Sequence, residues 1–111
     1  MGTIPKRYRL FMQDYPAAAA AYEALGAAVH GAGPLDDRTR ALIKLAVSVG
    51  ARLEGAVHAH ARKALAAGLA PAELRHAVLL ALPTIGLPTT MAAMSWLDDV
   101  LTKAPKKRKK K

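Results

Sequence analysis

Proline and glycine cut this chain into helix-length pieces, and the pieces are rich in alanine and leucine. The cuts fall at Pro16, at the loop Gly31-Ala-Gly-Pro34, at Gly68 followed by Pro71, and at the cluster Pro83, Gly86, Pro88. Proline suits the first turn of a helix and glycine the position just past its end, so these residues mark starts and stops. Between them 52% of the chain is hydrophobic but only 5% aromatic. Alanine is the best helix former and β-branched residues are few, which predicts an all-α fold. The expected architecture is a compact bundle of about five to six helices. A short helical arm falls within residues 1–15, with helices over 17–29, about 37–50, and one through His60 ending at Gly68. Another runs from Pro71 to the break at Pro83, and the last covers 89–101.

At 111 residues the chain has length for one small domain, and such a domain buries a modest share of its surface. The run Ala77-Val-Leu-Leu-Ala-Leu82, continued by Ile85 and Leu87, is apolar all round. One small core cannot surround such a helix, so part of it is expected to meet another subunit. On the facing helices, Leu42, Leu45, Ala46 and Val49 are expected inward, with Asp37, Lys44, Ser48 and Arg52 on the polar side. In the last helix Met91, Met94, Leu97 and Leu101 form the packed side, with Trp96 beside them.

The formal charge of +9 is concentrated at one end. Residues 103–111 hold seven of the 17 basic residues and no acid, leaving 10 basic against 8 acidic residues in 1–102. The domain, 16–102, is therefore close to neutral, and the basic character belongs to a tail expected to be disordered. The run Lys106, Lys107, Arg108, Lys109, Lys110 and Lys111 reads either as a solubilising segment or as a weak nucleic-acid or polyanion contact. There is no cysteine, so the chain has no disulfide, thiolate metal site or thiol redox centre of its own. The N-terminal residues lack the pattern of a signal peptide, and no apolar run approaches the ~18 residues of a membrane span. A cytoplasmic protein without a membrane association is the expectation.

The titratable residues worth following lie on the fourth helical segment. Leu53, Ala56, Val57, His60 and Ala64 recur at spacings of three and four and share one face. His60 thus stands in an apolar stripe, where an imidazole must be hydrogen-bonded. It is either a satisfied core histidine or a site residue. His58 is rotated about 200° from it and lines up with Glu54 and Arg62 in an i, i+4 ladder expected to face solvent. Two histidines at i, i+2 diverge, so no metal site is expected.

Three segments together resemble the carboxymuconolactone decarboxylase family, which includes the alkyl hydroperoxidase D-like proteins. They are Leu35-Asp-Asp-Arg-Thr-Arg-Ala-Leu-Ile-Lys-Leu-Ala-Val-Ser-Val49, Ala59-His-Ala-Arg-Lys-Ala-Leu-Ala-Ala-Gly68, and Pro71-Ala-Glu-Leu-Arg-His-Ala-Val-Leu-Leu-Ala-Leu82 with Ile85-Gly-Leu-Pro88. The resemblance implies an alkyl hydroperoxidase D-like helical fold assembled as a homotrimer or homohexamer. In the hydroperoxidase branch a Cys-x-x-Cys pair opens the histidine helix, and a glutamate stands twelve residues before it. Those positions are Leu53, Ala56 and Ala41 here, so thiol peroxidase chemistry has no nucleophile. The decarboxylase branch lacks the pair and looks similar at Glu54 and His60, the two candidate catalytic residues. It implies a cofactor-independent lyase acting on a small anionic lactone, with His60 as acid and Arg40, Lys44, Arg52 and Arg62 as candidate substrate-binding cations. Glu54, about 240° around the helix from His60, would serve a neighbouring chain's site. A non-catalytic scaffold of the same fold, or an accessory protein using the basic tail, are the alternatives.

Overall fold

The structure is a computed structural model describing residues 4–103. The lysine run from Lys106 lies outside the described residues. Among the described residues seven helices follow in order: α1 Lys6–Asp14, α2 Pro16–His30, α3 Asp37–Gly50, α4 Glu54–Ala66, α5 Pro71–Leu79, α6 Leu82–Ile85 and α7 Leu87–Lys103. Among the described residues there is no strand, so the all-α expectation holds. The one helix beyond the expected number is α6, a single turn set off by Gly86 at φ +95°.

The chain divides into two compact units, ending and beginning at Asp36 and Asp37. In the first, α1 and α2 are separated by Tyr15, which closes α1 through its N–H to Phe11 (2.8 Å). Pro16 then starts α2, because it has no N–H to extend the previous helix. Tyr8 links the two helices: its hydroxyl donates to Glu23 (3.0 Å), and its ring lies 6.4 Å from that of Tyr22.

The second unit holds the main core: Leu45 and Val49 of α3, Val57, Ala61 and Ala64 of α4, Leu74 and Val78 of α5, and Ala93, Leu97 and Val100 of α7, closed by Leu69. Its helices stop for local reasons. After α4, Leu69 donates to the Ala64 carbonyl (3.1 Å) and Gly68 to Leu65 (3.0 Å). This is a Schellman cap with Gly68 at the left-handed position, φ +96°. After α3 the same pair of bonds runs from Leu53 to Ser48 (3.1 Å) and from Arg52 to Val49 (3.0 Å). The left-handed residue there is Arg52, φ 61°, not Gly50. At the start of α5, Glu73 reaches back to accept from the Ala70 N–H (2.8 Å), and Arg38 donates to both the Gly68 carbonyl (2.9 Å) and Glu73 (3.2 Å).

Several expected faces are rotated. Ser48 is buried rather than polar-facing, its hydroxyl satisfied by the Lys44 carbonyl one turn back (2.8 Å). Ala46 is exposed in place of it. The packed face of α7 is Thr90, Ala93, Leu97 and Val100, leaving Met91 exposed and Met94, Trp96 and Leu101 half-buried. On α4, Leu53 is exposed and the buried line is Val57, Ala61 and Ala64.

Candidate functional site

Helices α3 and α4 form a pair joined by the short turn through Arg52, and both carry cations. Arg40 and Lys44 are one turn apart on α3, hence on one side of it. Lys44 is half-buried, and its ammonium is held below the usual lysine range, first by burial, then by the nearby charges of Lys63 and Arg40. Lys63 comes from α4 and lies three residues after His60, which puts the two on the same side of that helix. His60 itself is half-buried. It borders the Val57, Ala61, Ala64 line instead of occupying its middle. The α3–α4 pair therefore brings the cations Arg40, Lys44 and Lys63 near one another, with Lys63 on the side of α4 that bears His60. Arg40 also ion-pairs with Asp37.

The remaining sequence candidates lie elsewhere. Arg52 is exposed in the α3–α4 turn, and Arg62, half-buried, is about 200° around α4 from His60. Glu54 is on the side of His58. There the imidazole Nε2 of His58 lies 3.0 Å from a carboxylate oxygen of Asp99 on α7. The ligand atoms of Glu54, His58 and Asp99 all fall within 4.8 Å of one another. Within one chain the structure thus separates the two candidate catalytic residues and gives Glu54 a different neighbourhood. The expected ladder of Glu54, His58 and Arg62 is completed by Asp99 from another helix, and His58 is only half-exposed.

Two features escaped the sequence. Lys63 faces Lys44 only because α3 and α4 pair, although its place three residues after His60 was a usable signal. The second is an open hollow of about 540 Å³, lined by Leu42, Ala46 and Val49 of α3, His76 of α5, Leu80 just past its end, and Ile85 of α6. It needs the α5–α6 break, whose geometry proline and glycine announce but do not specify. Ala46, in its lining, is about 200° around α3 from Lys44, so the hollow and the cationic strip lie on opposite sides of that helix.

The family model for the carboxymuconolactone decarboxylase family matches residues 16–99, from the first residue of α2 to Asp99. This chain belongs to the carboxymuconolactone decarboxylase family. An uncharacterized protein of Haemophilus influenzae is 43% identical over 61 residues, covering 55% of this chain and 54% of the relative. The chain thus spans about half the length of that curated relative. No solved structure matches the chain significantly. Within the family frame, Leu53 is the exposed residue before α4 and Ala56 is half-buried in its first turn. No thiol stands at either place, so in this chain the histidine helix carries an imidazole without a redox pair. Among the described residues no helix is long and apolar enough to cross a membrane.

Proposed function

We propose that this chain is a cofactor-independent lyase of the carboxymuconolactone decarboxylase family, acting on a small carboxylated lactone at the His60 side of the α3–α4 pair. The observation that carries the proposal is the nearness of Arg40, Lys44 and Lys63 to one another, with Lys63 on the side of α4 that bears His60. Cations so placed hold a substrate carboxylate and stabilise negative charge developing on a conjugated carbonyl. The bond from ring carbon to carboxylate breaks, CO2 departs, and the electron pair moves into the conjugated carbonyl as an enolate. The imidazolium of His60 donates its proton to carbon, and solvent restores it. Glu54 has no step in this scheme. The working form is a homo-oligomer, the trimer or hexamer implied by the family, supported by the apolar side chains left exposed on α3 and α5.

The test is CO2 release from a carboxylated muconolactone by the full chain. His60→Asn is expected to lower kcat by roughly 10²–10⁴-fold, the usual worth of a positioned general acid. Lys63→Met is expected to raise KM more than it lowers kcat. No release above the uncatalysed rate, with assembly intact, would favour the scaffold reading; full activity in His60→Asn would remove His60 as the acid.

A further inference from the structure

We infer that Glu54, His58 and Asp99 form a binding site for a divalent transition-metal ion of the zinc type, joining α4 to α7. The sequence suggested no metal site, because the third ligand comes from a helix 41 positions away. Glu54 and His58 are one turn apart on α4, the spacing at which two side chains reach a common point. Asp99 enters from α7, which packs along α4 through the shared core of Val57, Ala61, Leu97 and Val100.

Two observations point to a cation. The first is the donor set and its spacing. His58 Nε2 and Asp99 Oδ2 are 3.0 Å apart, close to the ~3.3 Å edge of a tetrahedron with metal–ligand bonds of about 2.0–2.1 Å. The Glu54 oxygen is within 4.8 Å of both, and rotation of an exposed carboxylate closes that distance. One imidazole and two carboxylates suit zinc-type ions, whereas magnesium favours oxygen ligands and retained water. The second is charge. Two carboxylates converge here, yet among the residues whose side chains are described neither is ion-paired with a lysine or arginine. Arg62, one turn beyond His58, makes no ion pair there, and Arg75 is engaged with Asp98 (2.6 Å). The N-terminus of α4 favours Glu54 in its first turn, but it does not account for the approach of Glu54 to Asp99.

With three protein ligands the ion keeps an open position for water. A metal ion takes the imidazole in its neutral form. The inference does not rest on the lyase reading, since the site lies on the other side of α4 from His60.

The experiment uses the full chain, stripped with a chelator and titrated with Zn2+ by calorimetry, with Mg2+ as a control and Co2+ for its visible absorption. We expect one Zn2+ per chain, a tetrahedral Co2+ spectrum and no comparable Mg2+ uptake. His58→Ala and Asp99→Asn should each weaken binding by at least the ~10–100-fold that loss of an outer-shell partner costs. Circular dichroism checks that the variants keep their helix content, and Glu54→Gln provides a third, exposed position. No zinc uptake, or uptake unchanged in both His58→Ala and Asp99→Asn, overturns the site and leaves a hydrogen-bonded ion pair only.

Discussion

Lys44 shows a stability cost held at a single residue. Burial and the charges of Lys63 and Arg40 disfavour its ammonium form in the folded chain. The unfolded chain therefore binds the proton more tightly. As pH rises from the folded-state pKa to the ordinary lysine range, the unfolded state carries more protons and stability increases. Below that window the cost is fully present. Lys44→Met is thus expected to be more stable than the parent at neutral pH, with the difference shrinking as pH climbs through the lysine range. Urea denaturation at neutral and alkaline pH measures both, and equal differences at the two pH values would contradict the account. If Lys44 also holds substrate, the same variant loses affinity while gaining stability, the usual trade at a binding site. The sequence marked Lys44 as a candidate cation, and it marked His60. It did not mark Lys63 or Asp99, because each acquires its role from a helix packed against its own.

At the scale of the element, the two Schellman caps give opposite predictions. Gly68 takes its left-handed φ without steric cost, and a Cβ there would come 3.4 Å from the Arg38 guanidinium. Gly68→Ala should therefore lose about 1–2 kcal/mol, the cost of a left-handed L-residue. Arg52 already bears such a cost. Arg52→Gly recovers it, less about 0.5–1 kcal/mol for glycine's greater unfolded freedom, so a gain of up to about 1.5 kcal/mol is expected. Denaturant midpoints at unchanged slope decide both. The first cap was legible, because glycine stands where a cap requires it. The second was not: Gly50 is the residue that composition favours, yet α3 runs to Gly50 and the left-handed position falls two residues later. Alanine blurred the faces in the same way. The line Val57, Ala61, Ala64 is buried, but alanine is too small to mark a stripe against Leu53 and Ala56, and the assigned face came out rotated.

Across the whole molecule, what the chain leaves uncovered matters as much as its core. In the second unit Ile43 and Val47 of α3, Leu79 at the end of α5 and Leu80 just after it are 45%, 63%, 45% and 61% exposed. In the first, Tyr22, Leu25 and Val29 of α2 are each about 60% exposed, at spacings of three and four that place them on one face. The sequence signalled this at the run from Ala77 to Leu82, whose apolarity on all sides exceeds what Leu74 and Val78, the buried residues of α5, can use inward. Large apolar side chains clustered on a surface mark an interface, and a stable one buries about 1,200–2,000 Å² in total. The purified chain is therefore expected to have a mass of three or six protomers by light scattering. A charge buried at such a contact without a partner is strongly unfavourable. Val47→Glu combined with Leu80→Glu should shift the chain to smaller species at the same concentration, and Leu25→Glu tests the first unit separately. The smaller species should also melt earlier, since a chain of this size gains stability from assembly by mass action. A parent chain that is monomeric at every concentration, or variants that keep the parent's mass, would show that these side chains are simply solvated.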